Sequence, residues 1–241
     1  MYLHRNIPSV SATHPVHPTA LPRPTARTLV MNPVVGMITL MLLAACSGRP
    51  VVNQVRDHDG LLRAVVTRRD GVKDGPVRFF AADGSTTTGR YVDDSRHGPW
   101  VTLGPAGDTL AIVTYEHGKK DGLQAYWAPN GQLLRVERFR DGGPHGVLYR
   151  FFADGSPRQV TWYDNGMPEG AYMEWYKVDS TSIAVTAGQF HQGKRTGRWT
   201  WFYGNGKPQR QGWYREGRET GVWRWWDPNG KLARSVDHGQ P

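Results

Sequence analysis

Apolar and polar positions form short β-prone runs along this chain, each broken by a glycine, and the runs share one internal order. An aromatic ring stands three positions before a recurring glycine at Tyr91, Tyr115, Phe139, Tyr163, Phe190 and Tyr214, with Arg68 in that place in the first run. Two positions after the next glycine come Val77, Trp100, Leu148, Tyr172, Trp199 and Trp223, with Gln124 breaking the column. Five after it come Phe80, Leu103, Trp127, Phe151, Trp175, Phe202 and Trp226. No run of helical length escapes a glycine or proline except around residues 180–187, so the pattern predicts strands.

The glycines themselves recur as Gly-x3-Gly-x8-Gly, as in Gly118, Gly122 and Gly131 or Gly193, Gly197 and Gly206, and the middle ones step 23 to 27 residues apart over seven copies. Asp94 and Asp179 replace glycine in two places, and Asp59-Gly60 begins a preceding half-copy. The third glycine usually follows Asp or Asn, a pair that tolerates positive φ and marks a hairpin. Gly-x3-Gly, with polar interiors such as Lys119-Lys120-Asp121, predicts a second tight reversal. Each copy then forms one β-hairpin of about five-residue strands. Because a lone hairpin is marginal, successive ones are expected to pair edge to edge. The predicted fold class is all-β: an elongated single-layer antiparallel meander of about seven hairpin repeats, some fourteen or fifteen strands and about 70 Å long.

Composition agrees: 38% apolar residues with 29 Gly, 17 Pro, 10 Trp and 10 Tyr in 241 positions. One cysteine excludes an internal disulfide framework and a multi-Cys metal site. No apolar run approaches the roughly 18 residues of a membrane-spanning helix. The sustained apolar stretch, Val34 to Ala45, ends at Leu43-Ala44-Ala45-Cys46 and follows three Arg with no acidic residue. A positive start, a short apolar core and small residues at a cut site are the parts of a secretory signal. Leu-Ala-Ala-Cys resembles a bacterial lipobox, which implies Cys46 as the lipidated first residue. In lipoproteins Ser47 implies an outer-membrane destination. The domains expected are therefore 1–45 leader and signal peptide, 46–58 lipidated Cys and tether, and 59–241 the repeat domain. At 45 residues the leader is long, which points to a start codon further downstream. Its loss lowers the net charge from +9 by three Arg, to +6.

Tyr115-Glu-His-Gly-Lys-Lys-Asp-Gly and Phe190-His-Gln-Gly-Lys-Arg-Thr-Gly-Arg-Trp-Thr-Trp-Phe-Tyr-Gly-Asn-Gly206 resemble the bacterial variant of the MORN repeat, a unit recurring about every 23 residues. The resemblance covers roughly residues 60–237. Proteins of this kind are often named YwqK family antitoxins. The resemblance implies a toxin-neutralising protein, a sheet or groove that binds proteins or lipid, and no catalytic residues to carry over.

Asp74, His97, Asp121, His145, Glu169, Thr196 and Thr220 precede the middle glycines, but equivalent atoms in successive copies stand about 10 Å apart, too far to share a metal. Bonding to the turn's own backbone is expected instead. No HExxH, Walker or Gly-x-Ser-x-Gly spacing occurs, so no catalytic residue, metal or cofactor is expected. Six of the ten Trp fall between Trp199 and Trp226, interleaved with Arg. Three fill structural columns; Trp201, Trp213 and Trp225, with Arg198 and Arg224, are the candidate binding residues, since Trp and Arg are enriched in interaction hot spots. The function expected is noncatalytic: an envelope-anchored MORN-repeat lipoprotein acting in binding or scaffolding of a protein partner, with an antitoxin or immunity role as one form. It would meet the membrane through its N-terminal lipid and face the periplasm; neither nucleic acid nor a small molecule is expected. The alternatives are an envelope structural protein touching lipid or peptidoglycan, and a cytoplasmic antitoxin should the leader stay uncleaved.

Overall fold

The computed structural model describes residues 48–178 and 183–239. Among these residues there is no helix. Seventeen strands form one sheet: β1 (Val51–Arg56), β2 (Leu62–Arg69), β3 (Val72–Phe80), β4 (Thr86–Val92), β5 (Ser95–Leu103), β6 (Thr109–Glu116), β7 (Lys119–Trp127), β8 (Leu133–Arg140), β9 (Gly143–Pro144), β10 (Gly146–Phe151), β11 (Pro157–Asp164), β12 (Met167–Lys177), β13 (Ile183–His191), β14 (Lys194–Phe202), β15 (Pro208–Arg215), β16 (Arg218–Trp226) and β17 (Leu232–Asp237). Every pairing is antiparallel and joins chain neighbours, with β9 and β10 both paired to β8. The meander is open, with β1 and β17 at its margins.

Two kinds of turn alternate. At the first-glycine positions the loop is two residues long, and both have positive φ: Asp70/Gly71, Asp93/Asp94, His117/Gly118, Asp141/Gly142, Asn165/Gly166, Gln192/Gly193 and Glu216/Gly217. That is the type I′ turn, whose twist matches that of the flanking strands. Asp94 takes φ 60 where other copies have glycine, as short polar residues can. At the third-glycine positions the loops are longer. Gly84 N–H donates to Ala81 O, and Ala81 N–H to Ser85 O, a pattern repeated down to Asp227, Gly230 and Lys231.

The middle glycine closes no turn. Gly122, for example, has φ 86 and lies inside β7, opposite Phe139, at a bulge where the register to β6 shifts between Val113 and Tyr115. Gly-x3-Gly thus holds the expected second reversal at its first glycine and a bulge at its last, while its interior, as in Lys119-Lys120-Asp121, lies within the strand. Because the strand continues through the bulge, most strands run eight or nine residues rather than the five expected. A further strand also forms inside the segment expected as a tether. Asp57 Oδ1 accepts the N–H groups of Asp59 and Leu61, closing the β1–β2 hairpin ahead of the first copy. With that strand and the break between β9 and β10 at His145, seventeen strands replace fifteen.

The core lies on one face. It consists of the column two after the middle glycine, where Val77, Trp100, Gln124, Leu148, Trp199 and Trp223 are all buried, with the aromatic column packed between its members. Tyr91, Trp100 and Tyr115 meet edge to face, as do Phe190, Trp199, Tyr214 and Trp223. Wherever this column carries Trp, the residue eleven positions earlier is glycine: Gly89 for Trp100, Gly188 for Trp199, Gly212 for Trp223. A Cβ at these glycines would lie 2.0–2.3 Å from the indole. The other copies hold side chains at both places, as in Val66 opposite Val77. Gln124 breaks the column in type but not in bonding. Its Nε2 donates to Thr114 O at 3.1 Å, the carbonyl just before the aromatic column, as Trp199 Nε1 donates to Gln189 O and Trp223 Nε1 to Trp213 O.

Candidate binding face

The five candidate binding residues do not converge. Trp201 and Trp225 share the core face, half-buried against the Trp199–Tyr214–Trp223 cluster. Arg198 is paired with Trp213 on the opposite face, where Trp213 is 51% exposed, and Arg224 lies on that face too. Cys46 lies outside the described residues.

What Trp201 and Trp225 belong to is a row crossing the sheet. Cross-strand pairing links Glu174, Thr186, Trp201, Arg210, Trp225 and Arg234, one from each of β12 to β17, so their side chains follow one another on a single face. The Arg210 guanidinium lies 3.8 Å from the centre of the Trp201 ring, and that of Arg234 lies 5.1 Å from Trp225. Both distances are within cation–π range. Trp201, Tyr203, Gln209, Arg210, Trp225 and Trp226 line an open groove of about 440 Å³. Sequence reasoning missed Arg210 and Arg234 as site residues. Their signal is positional: each lies four residues before an aromatic-column place or its equivalent (Tyr214 for Arg210), and only the bulged register brings them between indoles.

The row holds two kinds of arginine. Arg135 occupies the same row further along, over Tyr126, and bonds the carboxylate of Glu137, which is only 2% exposed. At the place of Glu137, the last copies have Gly212 and Val236. Among the described residues, no carboxylate lies within 4 Å of Arg210 or Arg234. A separate basic column is structural: Lys73 lies over Tyr91, Arg96 over Trp100, Lys120 over Phe139 and Arg195 over Trp199, each two residues before a middle glycine.

Glu174 ends the cationic row. The hydroxyls of Tyr172 and Tyr176 both donate to its Oε2. Burial, then the Glu174 carboxylate, push the Tyr172 phenol far above the ordinary range, so it stays a neutral donor.

Of the polar column before the middle glycines, Asp121 and Glu169 bond turns, but those of the next copy rather than their own, whereas Asp74 pairs with Arg69 of its own hairpin. Asp121 Oδ2 accepts Asp141 N–H, and Glu169 Oε2 accepts Gln192 N–H. Among the described residues, no group of three His, Cys, Asp or Glu could hold a metal ion.

These last two copies also carry the likeness to known proteins. Residues 195–215 and 219–237 match the MORN repeat variant. The MORN variant match begins at Arg195 on β14 and ends at Asp237 on β17, so it spans Trp201, Arg210, Trp225 and Arg234. No curated protein matches the chain.

Proposed function

We propose that this protein is a noncatalytic binding scaffold, lipidated at Cys46 and held at the outer membrane on its periplasmic side, which captures a protein partner with the Trp201–Arg210–Trp225–Arg234 row. MORN repeats are generally associated with binding or scaffolding. The observation that carries the reading is the row itself: two guanidinium groups held on indole faces, with no carboxylate within 4 Å of either among the described residues, where Arg135 of the same row is paired with Glu137. Neutralising an acidic effector by direct contact, as an antitoxin does, is one form this binding takes. The anchor is supported by Leu43-Ala44-Ala45-Cys46 and its basic, acid-free leader.

Two measurements test the two halves. Metabolic labelling with palmitate should mark the wild-type chain and not Cys46→Ser; an unlabelled wild type ends the anchor. Pulldown on the mature chain should recover a protein that Arg210→Glu no longer retains, at an unchanged unfolding temperature. Recovery undiminished by Arg210→Glu ends the row as the binding site.

A further inference from the structure

The net positive charge of the part after Cys46 falls on the strands that carry the row, Arg210 and Arg234 on its face and Arg198 and Arg224 on the other. Residues 194–239 hold ten Lys and Arg against four Asp and Glu, whereas residues 47–193 hold seventeen of each. The whole excess positive charge of the part after Cys46 therefore sits in the last two copies, and the partner they fit is acidic.

The spacing narrows the partner further. Trp201 and Trp225 stand two strands apart, as do Arg210 and Arg234, which places equivalent atoms about 9.6 Å apart along the row. A polyproline II segment has three residues per turn and rises about 3.1 Å per residue, so every third side chain returns to one face after about 9.3 Å. An extended strand returns after about 6.8 Å, out of step with the row. An α-helix, about 10–12 Å across with its side chains, is wider than the slot between rings at this spacing. Proline also suits the groove, because a preformed PPII helix docks on aromatic ridges with little entropy left to lose.

Building on the binding face proposed above, we infer that the row receives an acidic, proline-rich segment of a partner protein in the polyproline II conformation. The segment crosses the strands, with a carboxylate at every third residue meeting first Arg210 and then Arg234. The intervening prolines lie on the exposed edges of Trp201 and Trp225. Glu174, at the far end of the row, repels the acidic segment and fixes where it stops.

The test uses the mature full-length chain and synthetic peptides of six Glu-Pro-Pro units, followed by tryptophan fluorescence and calorimetry. Glu-Pro-Pro should bind about tenfold more tightly than Glu-Gly-Ser of equal length and charge, because the flexible peptide must be ordered on binding. Lys-Pro-Pro should not bind. Arg210→Gln and Arg234→Gln should each weaken Glu-Pro-Pro about fivefold or more, at an unchanged unfolding temperature. Equal affinity for Glu-Pro-Pro and Glu-Gly-Ser, both lowered by the Arg changes, overturns the conformation while the acidic-partner face stands. Binding of phosphatidylglycerol vesicles or alginate with no binding of either peptide overturns the partner class. Peptide binding that ignores both Arg changes overturns the row, and with it the reading on which this inference rests.

Discussion

At the scale of single residues, the sheet is held by complementary pairs in which a missing side chain matters as much as a large one. Trp199 and Trp223 are fully buried because Gly188 and Gly212 leave room for the indole. Gly188→Ala would place a methyl group against a ring that is locked on both sides and bonded to Gln189 O. The expected cost is about 1–3 kcal/mol, the usual penalty of overpacking, read as a lower urea midpoint. Trp100→Val alone leaves a cavity above Gly89, and Gly89→Val alone collides with the indole. The two together reproduce the Val66–Val77 pair of the first copy and should recover most of the stability lost by either single change. A double variant no better than the sum of the singles would end this account. The Gly–Trp pairing was present in the sequence at a constant separation of eleven, yet it is invisible to a search for turns, since these glycines have ordinary backbone angles.

At the scale of the hairpin, Asp121 and Glu169 of the polar column each bond the turn of the next copy. His191 hydrogen-bonds Glu169 at 2.9 Å, and Glu169 also accepts Gln192 N–H at 2.7 Å. The Glu169 bond raises the His191 pKa from 6.5, and the Gln192 N–H, then His191, lower that of Glu169 from 4.5. A raised histidine stabilises fully below its unfolded pKa and ceases to as pH rises through the folded one. A lowered carboxylate stabilises above its unfolded pKa and ceases to as pH falls. The pair therefore acts most fully between about pH 5 and 6. The unfolding temperature of His191→Asn should fall furthest below wild type in that window, and the gap should narrow as the pH rises above it and as it falls below it. A gap that widens towards pH 8 would contradict the pairing. Both groups are well exposed, so the effect is small. The turn chemistry of this column was legible from Asp121 and Glu169 standing beside glycines. Which turn they bond was not, because that depends on how neighbouring hairpins register.

At the scale of the whole molecule, contacts are local: backbone pairing joins adjacent strands, and rings such as Tyr172 and Trp199 or Trp201 and Trp223 meet across one intervening strand, so stability should add up copy by copy. A chain ending at Gly193 lacks β14 to β17 yet keeps every pairing from β1 to β13. It should retain a strand-dominated circular dichroism spectrum at a lower unfolding temperature, and bind no Glu-Pro-Pro peptide. Loss of all strand signal would show a cooperativity that crosses copies. The meander and its turn positions were legible because glycine at positive φ is a local demand that sequence states directly. The row of Trp201, Arg210, Trp225 and Arg234 was not. Its members lie nine, fifteen and nine residues apart: the hairpin ladders pair Trp201 with Arg210 and Trp225 with Arg234, and the bulge at Gly221 sets the step between Arg210 and Trp225.

The turn edge carries one more consequence. Gly118 N–H donates to Arg96 O, Gly142 N–H to Lys120 O, Gly166 N–H to Pro144 O, Gly193 N–H to Pro168 O and Gly217 N–H to Arg195 O, so each loop is stitched to the hairpin before it. Gly221 is a middle glycine, and the segment after β17 engages it directly: its N–H donates to Gly239 O, while His238 N–H donates to Gly221 O. A duplicated unit of 24 residues would carry both halves of the loop-to-hairpin stitch, a donor glycine in its loop and an acceptor carbonyl two places before its middle glycine, so a lengthened array would need no new joining chemistry.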